Sequence, residues 1–277
     1  MNFIRRLFHV ARIEALWSSV KGCGSVQELE RVRSYLETND TGQVGTRGQQ
    51  SSWGYFPGLE AKPWHDPAGL SHTDIEQLLL NYEVIRNELE CIKSLRAAQP
   101  IWATDSVVGS GRWNVFYLHL MGRVSPVGRQ LCPQATAITA NVSSCVGRVF
   151  FSALDPNSHI KPHHDATNTR LRLHLGLEIP PGSTIRVSDE WRNWRPKELL
   201  FFDGSFEHEV WNRGLETRWV LIMDVWHPGL TLPERHALNR LSYLRRKERR
   251  LRRTERRADR KIYERIKYGA LLNKSKP

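Results

Sequence analysis

No apolar run in this sequence approaches the roughly 18 residues that cross a bilayer, so no transmembrane segment is expected. Paired cysteines are also missing. Cys23, Cys91, Cys132 and Cys145 form no CxxC and no zinc-like spacing, and four in 277 residues do not make a disulfide framework, which favours a reducing compartment. Net charge is absent from the body of the chain. Residues 1–239 carry 25 basic and 25 acidic side chains, and the formal charge of +12 lies entirely in residues 240–277, with sixteen Lys/Arg against four Asp/Glu. Charge therefore says nothing about what the body binds. Internal repeats are absent too. The N-terminus, MNFIRRLFHVARIEALWSSV, is basic and amphipathic without an uninterrupted apolar stretch. That argues against a secretory signal and for a cytoplasmic protein, with an organellar transit peptide as the alternative.

The sequence does contain 40% hydrophobic residues and ten tryptophans, enough for one sizeable core with extensions. Residues 1–37 have the apolar spacing of one or two short helices. NDTGQVGTRGQQSSWGYFPG, rich in Gly, Ser and Gln without periodicity, reads as a linker or loop. SHTDIEQLLLNYEVIRNELECIKSL reads as one long amphipathic helix, with Ile75, Leu78, Leu79, Tyr82, Ile85 and Leu89 on its apolar face. From about residue 113 the texture turns to short β-rich runs: WNVFYLHL, AITANV, RVFFSAL, RLRLHLGLEI, STIRVS, ELLFF and RWVLIMDVW. Short strands at these intervals predict a sandwich or barrel. Helix resumes at LPERHALNRLSYLRRKERR and runs into the basic tail.

Residues 161–168, KPHHDATN, raise the possibility of a metal site. On a strand, residues i and i+2 share a face, so His163 and Asp165 would offer a nitrogen and a carboxylate together, with His164 pointing away. A distant third ligand would complete a two-His-one-carboxylate triad, which leaves three positions open on Fe(II). The bland alternative is a loop histidine beside a turn aspartate, and about one His-x-acid match is expected by chance. His72-Thr73-Asp74 is such a match. It opens a helix, where i and i+2 lie about 200° apart, Ser71 or Thr73 is a candidate cap, and His72 is expected at the surface. Downstream, LLFFDGSFEHEVWN places His208 after a strand and an Asp-Gly turn. Arg218 then opens the strand RWVLIMDV on the face of Val220 and Ile222. A guanidinium pointing into an apolar interior requires an anion.

HHDATNTRLRLHLGLEIP, FFDGSFEHEVWN and MDVWHPGLT together resemble the aspartyl/asparaginyl β-hydroxylase family, oxygenases that depend on Fe(II) and 2-oxoglutarate. The resemblance runs from about residue 61 to residue 236. It implies a mainly β fold, a double-stranded β-helix of the jelly-roll or cupin-like kind, to which the sequence pattern adds flanking helices and, outside the resemblance, a basic C-terminal helix. The expected organisation is a hydroxylase-like domain over 61–236, preceded by a helical extension and loop over 1–60 and followed by a basic helical tail over 237–277, both outside the resemblance. The resemblance also implies His163, Asp165 and His208 as iron ligands. Arg218 and Ser152 would hold the far carboxylate of 2-oxoglutarate, Arg172 and His174 would lie near its iron-chelating end, and Arg170 near an acidic group of the substrate. O2 would be the oxidant. Animal members carry glycine where this chain has Asp165, whereas bacterial relatives, including lipid A hydroxylases, can keep the acid. The substrate class this implies is a peptide or protein Asp or Asn residue. The alternatives are an acyl lipid at a membrane surface and a non-catalytic binding relative. The tail 240–277 reads as a solvated charged helix, with anionic lipid or nucleic-acid phosphate as possible partners.

Overall fold

The computed structural model describes residues 3–38, 48–98, 107–120 and 122–247. In chain order the helices and strands are α1 (Phe3–Val20), α2 (Glu30–Thr38), β1 (Trp64–His65), α3 (His72–Leu80), α4 (Tyr82–Ala98), β2 (Val108–Ser110), β3 (Trp113–Leu120) and β4 (Arg123–Val124). There follow α5 (Pro126–Leu131), α6 (Pro133–Ala140), β5 (Cys145–Leu154), β6 (Ser158–His163), β7 (Arg170–Glu178), β8 (Ser183–Val187), β9 (Glu190–Asn193), β10 (Leu199–Phe202), β11 (His208–Asn212) and β12 (Arg218–Trp226). The helix α7 covers residues 232–247. The chain divides into two compact units, residues 37–230 and residues 1–36 with 231–277.

In the larger unit two antiparallel sheets face each other, as the jelly-roll expectation requires. One runs β1-β10-β7-β12-β5-β3-β4 and the other β2-β6-β11-β8-β9. Strict side-chain alternation gives the large sheet two cores. Leu171, Leu173, Leu175 and Leu177 of β7 and Trp219, Leu221, Met223 and Val225 of β12 point to a core shared with Leu78, Ile85, Leu89 and Ile92 of α3 and α4. The intervening residues face the other sheet, where Val220, Ile222, Phe150 and Leu154 meet Ile160, Ile185, Val187 and Val210. Each such side chain, fully buried, contributes about 1.5–3 kcal/mol. That second core positions the site, because Arg170, Arg172, His174, Arg218 and Asp224 share the faces that turn between the sheets.

Several expectations need correction. The long helix is two, α3 and α4, broken at Asn81, whose backbone leaves the helical region (φ −95°, ψ 15°) and whose side-chain amide donates to the Gln77 carbonyl at 2.8 Å. Ser71 sits at the cap position without a side-chain hydrogen bond. AITANV is not a strand; most of it lies in α6, which Pro133 starts from a first-turn position. Residues 48–60 form a loop, as expected, and it packs within the larger unit: Gln49 is buried and Phe56 fully so. His72 is a surface residue paired with Glu76 at 3.2 Å, while Asp74 is buried and accepts from both the backbone and the hydroxyls of Ser143 and Ser144.

In the smaller unit Arg31 forms two bonds to Glu234 (2.7 and 2.6 Å), and Thr231 donates its N–H to the same carboxylate. Val32, Tyr35, Leu36, Ala237, Leu238 and Leu241 are buried. The tail beyond residue 247 lies outside the described residues. Among the described residues no helix is long and apolar enough to cross a membrane.

Candidate active site

Strands β6 and β11 are antiparallel neighbours in a register that sets His208 opposite His163. Their rings lie 4.1 Å apart, centroid to centroid, inclined at 51°. Each ring bonds a carbonyl two residues back through Nδ1: His163 to Lys161 at 2.7 Å and His208 to Phe206 at 3.0 Å. A carbonyl only accepts, so Nδ1 carries the proton and Nε2 keeps its lone pair. Burial holds both rings neutral, lowering His163 and pushing His208 down to about 3. Two neutral imidazoles, each oriented by a second hydrogen bond, are the usual form of a histidine metal pair.

Asp165 does not stand beside His163 as a strand residue would. Strand β6 ends at His163, and the chain leaves it before Asp165 is reached. The carboxylate turns to Arg172, which grips it at two points (2.5 and 2.6 Å) and reaches Asp224 with its third nitrogen at 2.5 Å. Burial alone would raise the Asp165 carboxyl, but the Arg172 charge holds it well below the usual carboxylate range. Room for this arrangement comes from Gly204, where a Cβ would lie 2.2 Å from Asp165 Oδ2. Among the described residues no three His, Cys, Asp or Glu side chains converge on one point. His164, as expected, points elsewhere, with Nδ1 2.9 Å from the Ser205 carbonyl.

Arg218 and Ser152 are brought together. Register pairs Ser152 with Val220, which puts both side chains on one face, and Arg218 Nη2 donates to Ser152 Oγ at 2.9 Å. Trp113 Nε1 donates to the same oxygen at 2.9 Å, so the serine hydroxyl hydrogen remains to be donated. Arg218 is only 1% exposed, and its Nε has no hydrogen-bond partner. Burial pushes it down to about 9 with no acid opposing the shift. The guanidinium lies 4.8 Å from the Trp194 ring, which also stacks on His174 and donates Nε1–H to His174 Nδ1 at 3.3 Å. His174 is therefore neutral, with its Nε2 carrying the proton, and Phe202 lies edge-on to both His174 and His208. A deep cation, a hydroxyl donor and an imidazole donor thus share the inter-sheet space with the histidine pair.

A pocket of about 280 Å³ opens beside Asp165 and His164. Its walls include Arg170 and Arg172, together with three residues the sequence reading did not single out: Trp53, Arg148 and Asp224. Asp224 was legible as an inward-facing acid on β12, since Arg218, Val220 and Ile222 share its parity. Nothing in the sequence marked Trp53 or Arg148.

The family model described as aspartyl/asparaginyl beta-hydroxylase matches residues 80–228. A mouse aspartyl/asparaginyl beta-hydroxylase is 35% identical over 187 residues, 65% of this chain and 25% of that protein. Human aspartate beta-hydroxylase domain-containing protein 2 is 31% identical over 196 residues, 67% of this chain and 53% of that protein. An ornithine lipid ester-linked acyl 2-hydroxylase from Rhizobium tropici is 32% identical over 156 residues, 53% of this chain and 55% of that protein. The chain thus spans a quarter to about half of the length of these relatives.

Proposed function

The chain belongs to the aspartyl/asparaginyl β-hydroxylase family, and from that premise we propose that it is an Fe(II)- and 2-oxoglutarate-dependent dioxygenase acting on an unactivated C–H bond, the β-carbon of an Asp or Asn residue in a peptide or protein. The observation that carries this reading is Arg218. A buried guanidinium without an acid is costly, and a dicarboxylate co-substrate supplies the anion it lacks.

The residues present fit the missing groups. His163 and His208 would hold a divalent metal through Nε2, each ring fixed by the carbonyl behind it. Arg218 and the Ser152 hydroxyl bind the far carboxylate of 2-oxoglutarate, and His174, kept neutral by burial, donates Nε2–H toward its other end. Iron(II), with 2-oxoglutarate and O2, supplies the oxidising power for hydroxylation. The protein's part is positioning and exclusion of water by Phe202, Trp194 and Trp113. Asp165 is engaged as the counter-ion of Arg172, so in this reading the two histidines would hold the metal without the carboxylate of the expected triad. The Rhizobium relative supports a second reading, hydroxylation of an acyl chain.

Aerobic incubation with Fe(II) and 2-oxoglutarate tests the proposal. Succinate should form, and His163→Ala and His208→Ala should each abolish it. Undiminished succinate from both variants would refute the assignment.

A further inference from the structure

The pocket beside Asp165 has a charge balance that specifies its ligand. Arg148, Arg170 and Arg172 face Asp165 and Asp224, three positive charges against two negative. Asp224 is the hub. It accepts from Arg172 at 2.5 Å, from the Arg148 backbone and Nε at 3.1 and 3.3 Å, and lies 3.8 Å from Arg170. Gly147 makes the crowding possible, because a Cβ there would lie 2.7 Å from Asp224 and 2.9 Å from Arg170. One positive charge is left over. The Arg148 side chain, 37% exposed, is the most open of the three arginines, against 22% for Arg170 and 11% for Arg172.

The aromatic wall comes from before the segment that the family model matches. Trp53 lies 5.2 Å from the Arg170 guanidinium carbon. Its segment is pinned at both ends of the site. Trp53 N–H and Ser51 Oγ donate to the Ala166 carbonyl at 2.9 and 2.8 Å, and Phe56 and Asn168 exchange two bonds. Gln50 N–H donates to the Ser205 carbonyl, and Gln49 Nε2 to Asp203 and Ser205 Oγ. One strap thus clasps the loop carrying Asp165 and the turn leading to His208, and it holds Trp53 against the arginine that faces the pocket.

We propose that Trp53 and Arg148 are specificity-determining residues. They complete a subsite that takes one carboxylate and discriminates against the isosteric neutral amide, so the substrate group is an aspartyl rather than an asparaginyl side chain. This rests on the hydroxylase reading above. At about 280 Å³ the pocket suits one amino-acid side chain, and a single carboxylate neutralises its surplus charge. Set over the Arg170 guanidinium, the indole keeps it pointed into the pocket and covers it from water.

The full-length protein, labelled with 5-fluorotryptophan, provides the test, with Trp53→Phe identifying the Trp53 resonance. N-acetyl-aspartate amide should move that resonance saturably, and N-acetyl-asparagine amide should not. Arg148→Gln should weaken the aspartate response by about tenfold, with partial recovery in Arg148→Lys. A melting curve of each variant confirms that it is folded. An unmoved Trp53 resonance, an equal response to both amides, or a stronger response to diethyl phosphate would each overturn the proposal. The titration needs no turnover. A negative result here alongside succinate formation therefore sinks the subsite alone, and the reverse outcome sinks the iron reading alone.

Discussion

Replacing Arg218 with methionine removes a charge while roughly keeping the buried volume, and the structure sets the size of the effect. Burial brings this guanidinium from its ordinary value to about 9, a difference of about 5 kcal/mol at 1.36 kcal/mol per pH unit. Because the folded value is depressed, the unfolded chain holds the proton more tightly. The penalty is complete below pH 9 and relieved only above it. Two interactions offset it. The charged hydrogen bond to Ser152 is worth about 1.5–3 kcal/mol, and the stacking on Trp194 up to about 2 kcal/mol. Without co-substrate, Arg218→Met should therefore be as stable as the parent or more so by about 2 kcal/mol. At about 2–4 °C per kcal/mol for a domain of this size, that is a rise of up to about 8 °C in Tm. Adding 2-oxoglutarate at neutral pH closes the gap and, at the larger losses of affinity, reverses the order. The parent gains about 2.7 kcal/mol at a hundredfold excess over Kd, whereas the variant loses about 2–4 kcal/mol of affinity, roughly 30- to 1,000-fold. Thermal melts with and without 2-oxoglutarate read both quantities. A variant that melts far below the parent without ligand, yet gains the same increment from 2-oxoglutarate, would refute the reasoning.

Three further outcomes follow from the same contacts. Asp165→Asn should keep the metal, since the two histidines hold it, but should lower Tm by about 6–12 °C because Arg172 loses its bidentate partner; loss of stoichiometric iron in that variant would return the carboxylate to the ligand set. Gly204→Ala should displace Asp165 from Arg172 and reproduce the Asp165→Asn melt, and an unchanged melting curve would show that the turn absorbs the extra carbon. At pH 8 iodoacetamide should label exposed Cys91 rapidly and leave Cys132 and Cys145 unmodified in the folded protein, because burial pushes both thiols up to about 12; mass spectrometry of the digest reads this, and fast labelling of Cys145 would contradict it.

Alternation made much of the site legible. On β7 and β12 one set of positions is uniformly apolar and the other carries Arg170, Arg172, His174, Arg218 and Asp224, a pattern that only a strand buried on both faces requires. The same rule misled at Asp165, because it holds only while the strand lasts and β6 ends at His163. A strand boundary is set by partner strands, which a local pattern does not contain. One helix reading and one strand reading failed for a related reason. Apolar spacing continues smoothly across Asn81 although the backbone breaks there, and Pro133 converts a β-branched run into a helix. The strap was least legible. Gln49, Ser51 and Trp53 owe their role to hydrogen bonds with residues more than a hundred positions away, and no local periodicity encodes such partners.

The central claim is that His163 and His208 hold an iron at which 2-oxoglutarate binds. Anaerobic addition of Fe(II) and 2-oxoglutarate to the purified protein tests it most directly. The account predicts a weak visible charge-transfer band in the parent that persists in Asp165→Asn and vanishes in His163→Ala and in His208→Ala. A band that survives the loss of either histidine, or that never forms in the parent, would contradict it.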